Sequence, residues 1–176
     1  MRLILSLAAS LTFAFASAQI EMPDPTPPAE VSRLAFLVGN WEGNIKIFEP
    51  TGSSIEGKSS IKATMAIGGR YLHAMETISM EGMQIGGLFL ATYDAEKKKY
   101  VSWWYDQMAA EPVESEGEFV GSKLVFVSKP VDAPGMGTAT FRSTYDKKSD
   151  TELVFILEMK MGEEWIKFME GTFRKT

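Results

Sequence analysis

From Trp41 onward, apolar and polar positions alternate with a period of two. Ile61, Ala63, Met65 and Ile67 alternate with Ser60, Lys62, Thr64 and Ala66, and Leu153, Phe155, Leu157 and Met159 with Glu152, Val154, Ile156 and Glu158. That period places residues i and i+2 on one face of an extended strand. Turn residues interrupt it at Glu49-Pro50-Thr51-Gly52, Gly68-Gly69, Glu81-Gly82, 94–98, Gly121-Ser122, 130–137, 147–150 and Gly162-Glu163. The pattern divides into about ten strands near 41–48, 55–67, 70–80, 84–94, 99–108, 112–120, 123–129, 138–146, 151–160 and 164–174. Short strands joined by tight turns, with no long crossover, predict an all-β, antiparallel up-and-down barrel, a closed sheet without exposed edges. One segment breaks the period. Val31, Leu34, Ala35 and Val38 recur at helical spacing and Gly39 stands where a helix would stop, so a short N-terminal helix is expected over 29–38.

The region before the helix has a different character. Arg2 precedes an apolar run from Leu3 to Phe15, and Ala16-Ser17-Ala18 is a small-x-small cleavage signature. This pattern predicts a secretory signal peptide over 1–18, cut before Gln19, and an exported domain that is periplasmic or secreted. The apolar run is shorter than the roughly 20 residues a membrane span needs, so no stable anchor is expected. Pro23, Pro25, Pro27 and Pro28 make 19–28 an extended, proline-rich leader. A single barrel domain is expected over 29–176.

Composition narrows the chemistry. The 176-residue chain has no cysteine and one histidine, His73. A Cys/His zinc site, an iron–sulfur cluster, a disulfide and a Cys–His nucleophile are therefore excluded. A formal charge of −5 without a basic run argues against nucleic acid as a partner, because affinity there rests on Lys and Arg at phosphates. Gly52 to Ser59 fits the P-loop pattern G-x-x-x-x-G-K-[ST]. Strand-like alternation follows it, however, where phosphate binding needs a helix, and the segment reads as a hairpin turn.

The remaining candidates are side chains that strand parity can turn into the barrel. Tyr71, His73 and Met75 share one face of a strand, and Trp104 and Asp106 share a face with Tyr100 and Ser102. Arg142 lies between Thr140 and Thr144, where an inward position would make it an anchor for an anionic head group. Glu116 belongs with Glu114 and Glu118 to a row that is either a solvated face or a source of acid–base or cation chemistry. The cavity lining expected from parity is Tyr71, His73, Met75, Trp104, Asp106, Glu116 and Arg142. Methionines at Met80, Met83 and Met136 fall in expected loops and suit a flexible, apolar barrel mouth. The first reading of function is a binding module for a small hydrophobic or amphipathic molecule. The second is an enzyme, a hydrolase or isomerase with Asp106 or Glu116 as base beside His73 or a tyrosine. A third is an interaction module that uses outward aromatics such as those of Trp103-Trp104-Tyr105. No metal and no cofactor are assigned by these residues, and the oligomeric state is left open.

Leu34 to Gly43 carries a short helix into G-x-W (Gly39-Asn40-Trp41), which is similar to the opening of lipocalins and the wider calycin superfamily. Gly68-Gly69-Arg70-Tyr71-Leu72, Tyr93-Asp94, Lys98 to Ser102, Trp104, Asp106, Ser115-Glu116-Gly117 and Gly171-Thr172-Phe173-Arg174 resemble the bacterial family "domain of unknown function 1579". The resemblance covers most of 30–176. It implies a calycin-like barrel around a cavity, with no established activity. It also implies that Trp41, after Gly39, packs under Arg174 in a structural stack. Related nitrobindin-like barrels bind haem through a histidine near the C-terminal end. The histidine of this chain is in the third expected strand, a departure that argues against haem.

Overall fold

Apolar side chains at every second position need a closed surface to bury against, and the chain supplies it by pairing its first barrel strand with its last. The computed structural model describes residues 24–49, 52–133 and 137–176. The signal-peptide expectation, and Met136, lie outside them. The strands are β1 (Gly39–Phe48), β2 (Ser54–Ala66), β3 (Tyr71–Met80), β4 (Met83–Asp94), β5 (Lys99–Asp106), β6 (Val113–Val120), β7 (Lys123–Ser128), β8 (Val131–Ala133), β9 (Gly137–Ala139), β10 (Phe141–Lys147), β11 (Glu152–Met161) and β12 (Glu164–Lys175). Ten of them close into an antiparallel barrel in the order β1-β12-β11-β10-β7-β6-β5-β4-β3-β2. Trp41 pairs with Lys175 and Gly43 with Phe173 across the closing seam.

Two details differ from the sequence reading. The strand expected over 138–146 is broken at Thr140, and β8 and β9 form a separate two-stranded ribbon where only a turn was expected. β10 begins at Phe141, whose N–H donates to the Ser128 hydroxyl (2.8 Å), so the wall resumes there. The P-loop-like segment runs into β2 from Ser54 onward, and its turn is only the stretch around Gly52.

The helix is present but winds more tightly than expected. Ala29–Leu37 is a 3-10 helix that buries Val31, Leu34 and Leu37, while Ala35 is exposed. Side chains at i and i+3 eclipse in such a helix, so the buried stripe has a period of three instead of the α-helical set 31, 34, 35, 38. The helix caps the barrel end where β1 starts and β12 finishes. The Trp41 indole N–H donates to the Leu37 carbonyl (2.9 Å), and the Tyr100 hydroxyl donates to the Glu30 carbonyl (3.0 Å). The Arg33 guanidinium lies 3.8 Å above the Phe119 ring. Beneath the helix, Leu72, Ala91, Leu124, Phe126, Leu153 and Phe173 are fully buried. Tyr100→Phe should loosen this cap. The lost hydrogen bond is worth about 1 kcal/mol, to be read as a lower denaturation midpoint together with faster proteolysis near Glu30.

Candidate functional site

Inner faces follow from which parity is buried. On β3, Leu72, Ala74 and Ile78 are buried, so Glu76 shares the inner face and Tyr71, His73 and Met75 stand on the outer wall. On β10, Tyr145 packs into the core with Phe89, Phe126 and Phe155, so Arg142 stands outside. There its Nε donates to Glu158 (2.7 Å) and its guanidinium lies 4.6 Å over Trp165. The aromatic parity of β10 goes inward because Phe141 and Tyr145 bury more apolar area than Thr140 and Thr144 could. Glu114, Glu116 and Glu118 form an outer ladder with Lys129 (2.7 Å), Lys97 (2.8 Å) and Lys99 (2.6 Å). Of the lining expected from sequence, the barrel therefore turns Trp104 and Asp106 inward and keeps Tyr71, His73, Met75, Glu116 and Arg142 outside. With the wall between His73 and Asp106, the histidine–carboxylate pair does not assemble.

The outward residues gather in their own way. His73 lies opposite Leu90 and then Trp103, and Met75 opposite Leu88 and then Tyr105, so an apolar band crosses β3, β4 and β5. Met75 and Tyr105 are 50% and 41% exposed.

The expected stack over Trp41 is made by a different residue. Phe173 is buried, so Arg174 points outward and pairs with Glu152 (3.2 Å). Lys175 has the inward parity, and its ammonium lies 5.1 Å over the Trp41 ring. Its alkyl chain passes where a side chain at Gly39 would be, and Gly39 also has φ +137°, so both space and backbone require glycine there.

Inside, the polar groups converge on the middle of the barrel. Glu76 on β3 and Tyr145 on β10 stand half-way round the barrel from each other. The Tyr145 ring reaches inward between Phe89 (5.6 Å), Phe126 (6.3 Å) and Phe155 (4.9 Å). Glu76 accepts a hydrogen bond from the Ser59 hydroxyl (2.6 Å). Burial pushes the Glu76 carboxyl above its usual range, and the Ser59 bond only partly opposes this. Burial, and then the negative charge of Glu76, push the Tyr145 hydroxyl far up, so it remains a neutral phenol. That hydroxyl has no hydrogen-bond partner among the described residues. Ser102, Ser115 and Ser128 form a neighbouring row across β5, β6 and β7.

Trp104 and Asp106 flank this centre toward the end away from the helix. The Trp104 indole N–H donates to Asp106 Oδ2 (2.9 Å), and the Met108 backbone N–H to Oδ1 (2.8 Å). The indole lies flat over Gly87, where any side chain would overlap it. Gly87→Val should displace the ring at a cost of about 1–3 kcal/mol, seen as a changed tryptophan emission maximum with a lowered melting temperature.

The interior is not filled evenly. Many inner residues near the helix are fully buried, among them Leu72, Ala91, Leu124, Leu153 and Phe173, whereas Glu76, Ile85, Trp104, Asp106, Tyr145, Phe155, Leu157 and Met169 keep part of their surface accessible. The main core lies under the cap, and a smaller cluster of Ala139, Met159, Phe141 and Phe168 packs toward the other end. Met83, Met108 and Met161 are exposed around that end. On the outer side, a groove of about 660 Å³ between β1, β2, β3 and β12 is lined by residues of both charge signs, including Lys46, Glu56, Lys58 and Glu170. Among the described residues no group of three His, Asp or Glu gathers as a metal site would require, and no helix is long and apolar enough to cross a membrane.

Glu76, Ser59 and Tyr145 were not singled out by sequence reasoning. One signal was available: Glu76 is a lone charge between Ala74 and Ile78 on an otherwise apolar strand face.

The family model described as "Protein of unknown function (DUF1579)" matches residues 26–175, which include the helix cap and all twelve strands. The chain belongs to this family. No curated protein matches its sequence. Among solved structures, the DUF1579 chain is similar to Rv2717c from M. tuberculosis, with TM-score 0.60 and 11% identity over 86% of this chain and 99% of that one. It is also similar to the S-type phycobiliprotein lyase CPES from Guillardia theta, with TM-score 0.57 and 11% identity over 84% and 90% of the two chains. At that identity the likeness is one of fold, and it makes this DUF1579 member a lipocalin-like barrel.

Proposed function

We propose that this protein is an exported binding protein that holds a small amphipathic molecule inside its barrel. The observation that carries the reading is the make-up of the inner barrel face. The rings of Phe89, Phe126, Tyr145 and Phe155 pack against one another on the inner barrel face that also carries the hydrogen-bonded Glu76 carboxylate, and Glu76, Tyr145 and Phe155 keep part of their surface accessible. Pockets for small molecules combine mostly apolar walls with a few placed polar groups that fix orientation. Here the aromatic rings would take the apolar body, and Glu76 with the unpartnered Tyr145 hydroxyl would take the polar end. Trp104 and Asp106 would contact the part nearest the mouth.

Native mass spectrometry of protein purified from its own host, before and after organic extraction, tests this. A mass difference that disappears on extraction identifies the ligand class. An invariably ligand-free barrel that also takes up no added amphiphile counts against the reading. Export has its own test, since the mature protein recovered outside the cytoplasm should begin at Gln19.

A further inference from the structure

The chamber has a pronounced charge character. Glu76 and Asp106 are the acidic groups on the inner strand faces. The described barrel cations of inward parity, Lys175 and Lys147, both lie at the capped end, Lys175 over Trp41 and Lys147 paired with Asp150. Arg142, the residue that could have received a carboxylate, is outside and bound to Glu158. The Glu76 carboxylate has one hydrogen-bond partner among the described residues, the neutral Ser59 hydroxyl, and no opposite charge among them within ion-pair distance. On the same inner face the rings of Phe89, Phe126 and Phe155 pack against Tyr145, which is near enough to feel the Glu76 charge. Aromatic faces attract cations through their ring quadrupoles, and a desolvated carboxylate gains most from a cation that pairs with it. An anionic head group would instead meet two carboxylates and no compensating base.

We infer that the molecule held in the chamber carries a cationic amine, with its nitrogen at Glu76 and Tyr145 and its apolar body along the aromatic wall. The inference rests on the binding reading above and specifies its ligand class. The Ser59 hydroxyl holds one carboxylate oxygen and leaves the other free to receive an N–H. The Tyr145 hydroxyl is a neutral acceptor for a second. Fatty acids and other carboxylate amphiphiles are selected against by the same geometry.

Three probes with one alkyl chain separate the charge from the chain: octylammonium, octanol and octanoate, titrated by calorimetry at neutral pH into wild type and Glu76→Gln. Gln keeps an acceptor for Ser59 and nearly the same volume, so the barrel should fold. The expected result for wild type is that octylammonium binds at least tenfold more tightly than octanoate, with octanol between. In Glu76→Gln the amine should lose its advantage over octanol. Octanoate binding as tightly as octylammonium overturns the cation inference and leaves the chamber reading standing. An amine preference that survives in Glu76→Gln also overturns it, because the cation then binds elsewhere. If none of the three binds, the chamber reading itself fails.

Discussion

Trp41→Ala should remove about 3–5 kcal/mol of folding stability, the range for truncating a buried tryptophan. The site explains why the loss falls at the upper end. Trp41 is 2% exposed, bonds the last turn of the helix through Leu37, and carries the Lys175 ammonium on its face. One substitution therefore uncouples β1, β12 and the cap together. Set against the roughly 5–15 kcal/mol of a typical domain, the variant approaches the limit of stability. At about 2–4 °C per kcal/mol for a domain of this size, the melting temperature should fall by on the order of 10 °C. Trp41→Phe keeps most of the packing and should lose only about 1–2 kcal/mol, the share of the indole hydrogen bond and the ring difference. A thermal melt followed by circular dichroism separates the two. A loss in Trp41→Ala below about 1 kcal/mol would show that the cap does not hold the seam.

Glu76→Gln should act in the opposite direction at neutral pH. The Glu76 carboxyl in the folded chain sits above its reference value of 4.5, first because it is buried. The native state then binds its proton more readily than the unfolded chain does. The stability this group contributes is fully present below pH 4.5 and is lost as pH rises through the folded value. Gln has no such titration. The variant should match wild type in acid and melt higher than wild type near neutrality, with the difference opening as pH rises from 4.5. Of the nearby groups, Tyr145 stays neutral throughout, Ser59 does not titrate, and Asp106 is present in both proteins, so the difference isolates Glu76. Equal pH profiles for the two proteins would show that the carboxyl is as well solvated folded as unfolded.

The two predictions concern residues of very different visibility in the sequence. Trp41 is apparent because G-x-W follows an apolar segment and opens the alternating region. Most strand limits are equally plain, since turn residues at Gly68-Gly69, Gly82, Gly121 and Gly162 interrupt the period. The choice of inner face is not. β3 is apolar on both sides: Tyr71, His73 and Met75 on one, Leu72, Ala74 and Ile78 on the other. Alternation alone gives these equal standing, and the charge at Glu76 pulls the reading the wrong way. What decides it is tertiary. The smaller, aliphatic set fits the crowded interior beneath Leu34 and beside Phe89, while the bulkier set joins Leu88, Leu90, Trp103 and Tyr105 outside. A one-residue shift of register exchanges the faces completely, which is why parity is so unforgiving. The exchange of Lys175 for Arg174 over Trp41 is the same effect at the last strand. The 3-10 helix escaped for another reason. Leu34-Ala35 and Leu37-Val38 satisfy both helical periods, and only the docking of Leu37 against the barrel selects the tighter one.

The pairing of Trp41 with Lys175 has a consequence for how the chain comes to be folded. β1 emerges before every other barrel strand and its partner β12 after them, so the seam closes only once β12 has been made. Until Glu164–Lys175 arrives, β1 and β11 each present an open edge able to recruit foreign strands. Barrels closed by such distant pairing fold slowly, in milliseconds to seconds. A chain halted before Glu164 should therefore be a substrate for proteases and chaperones.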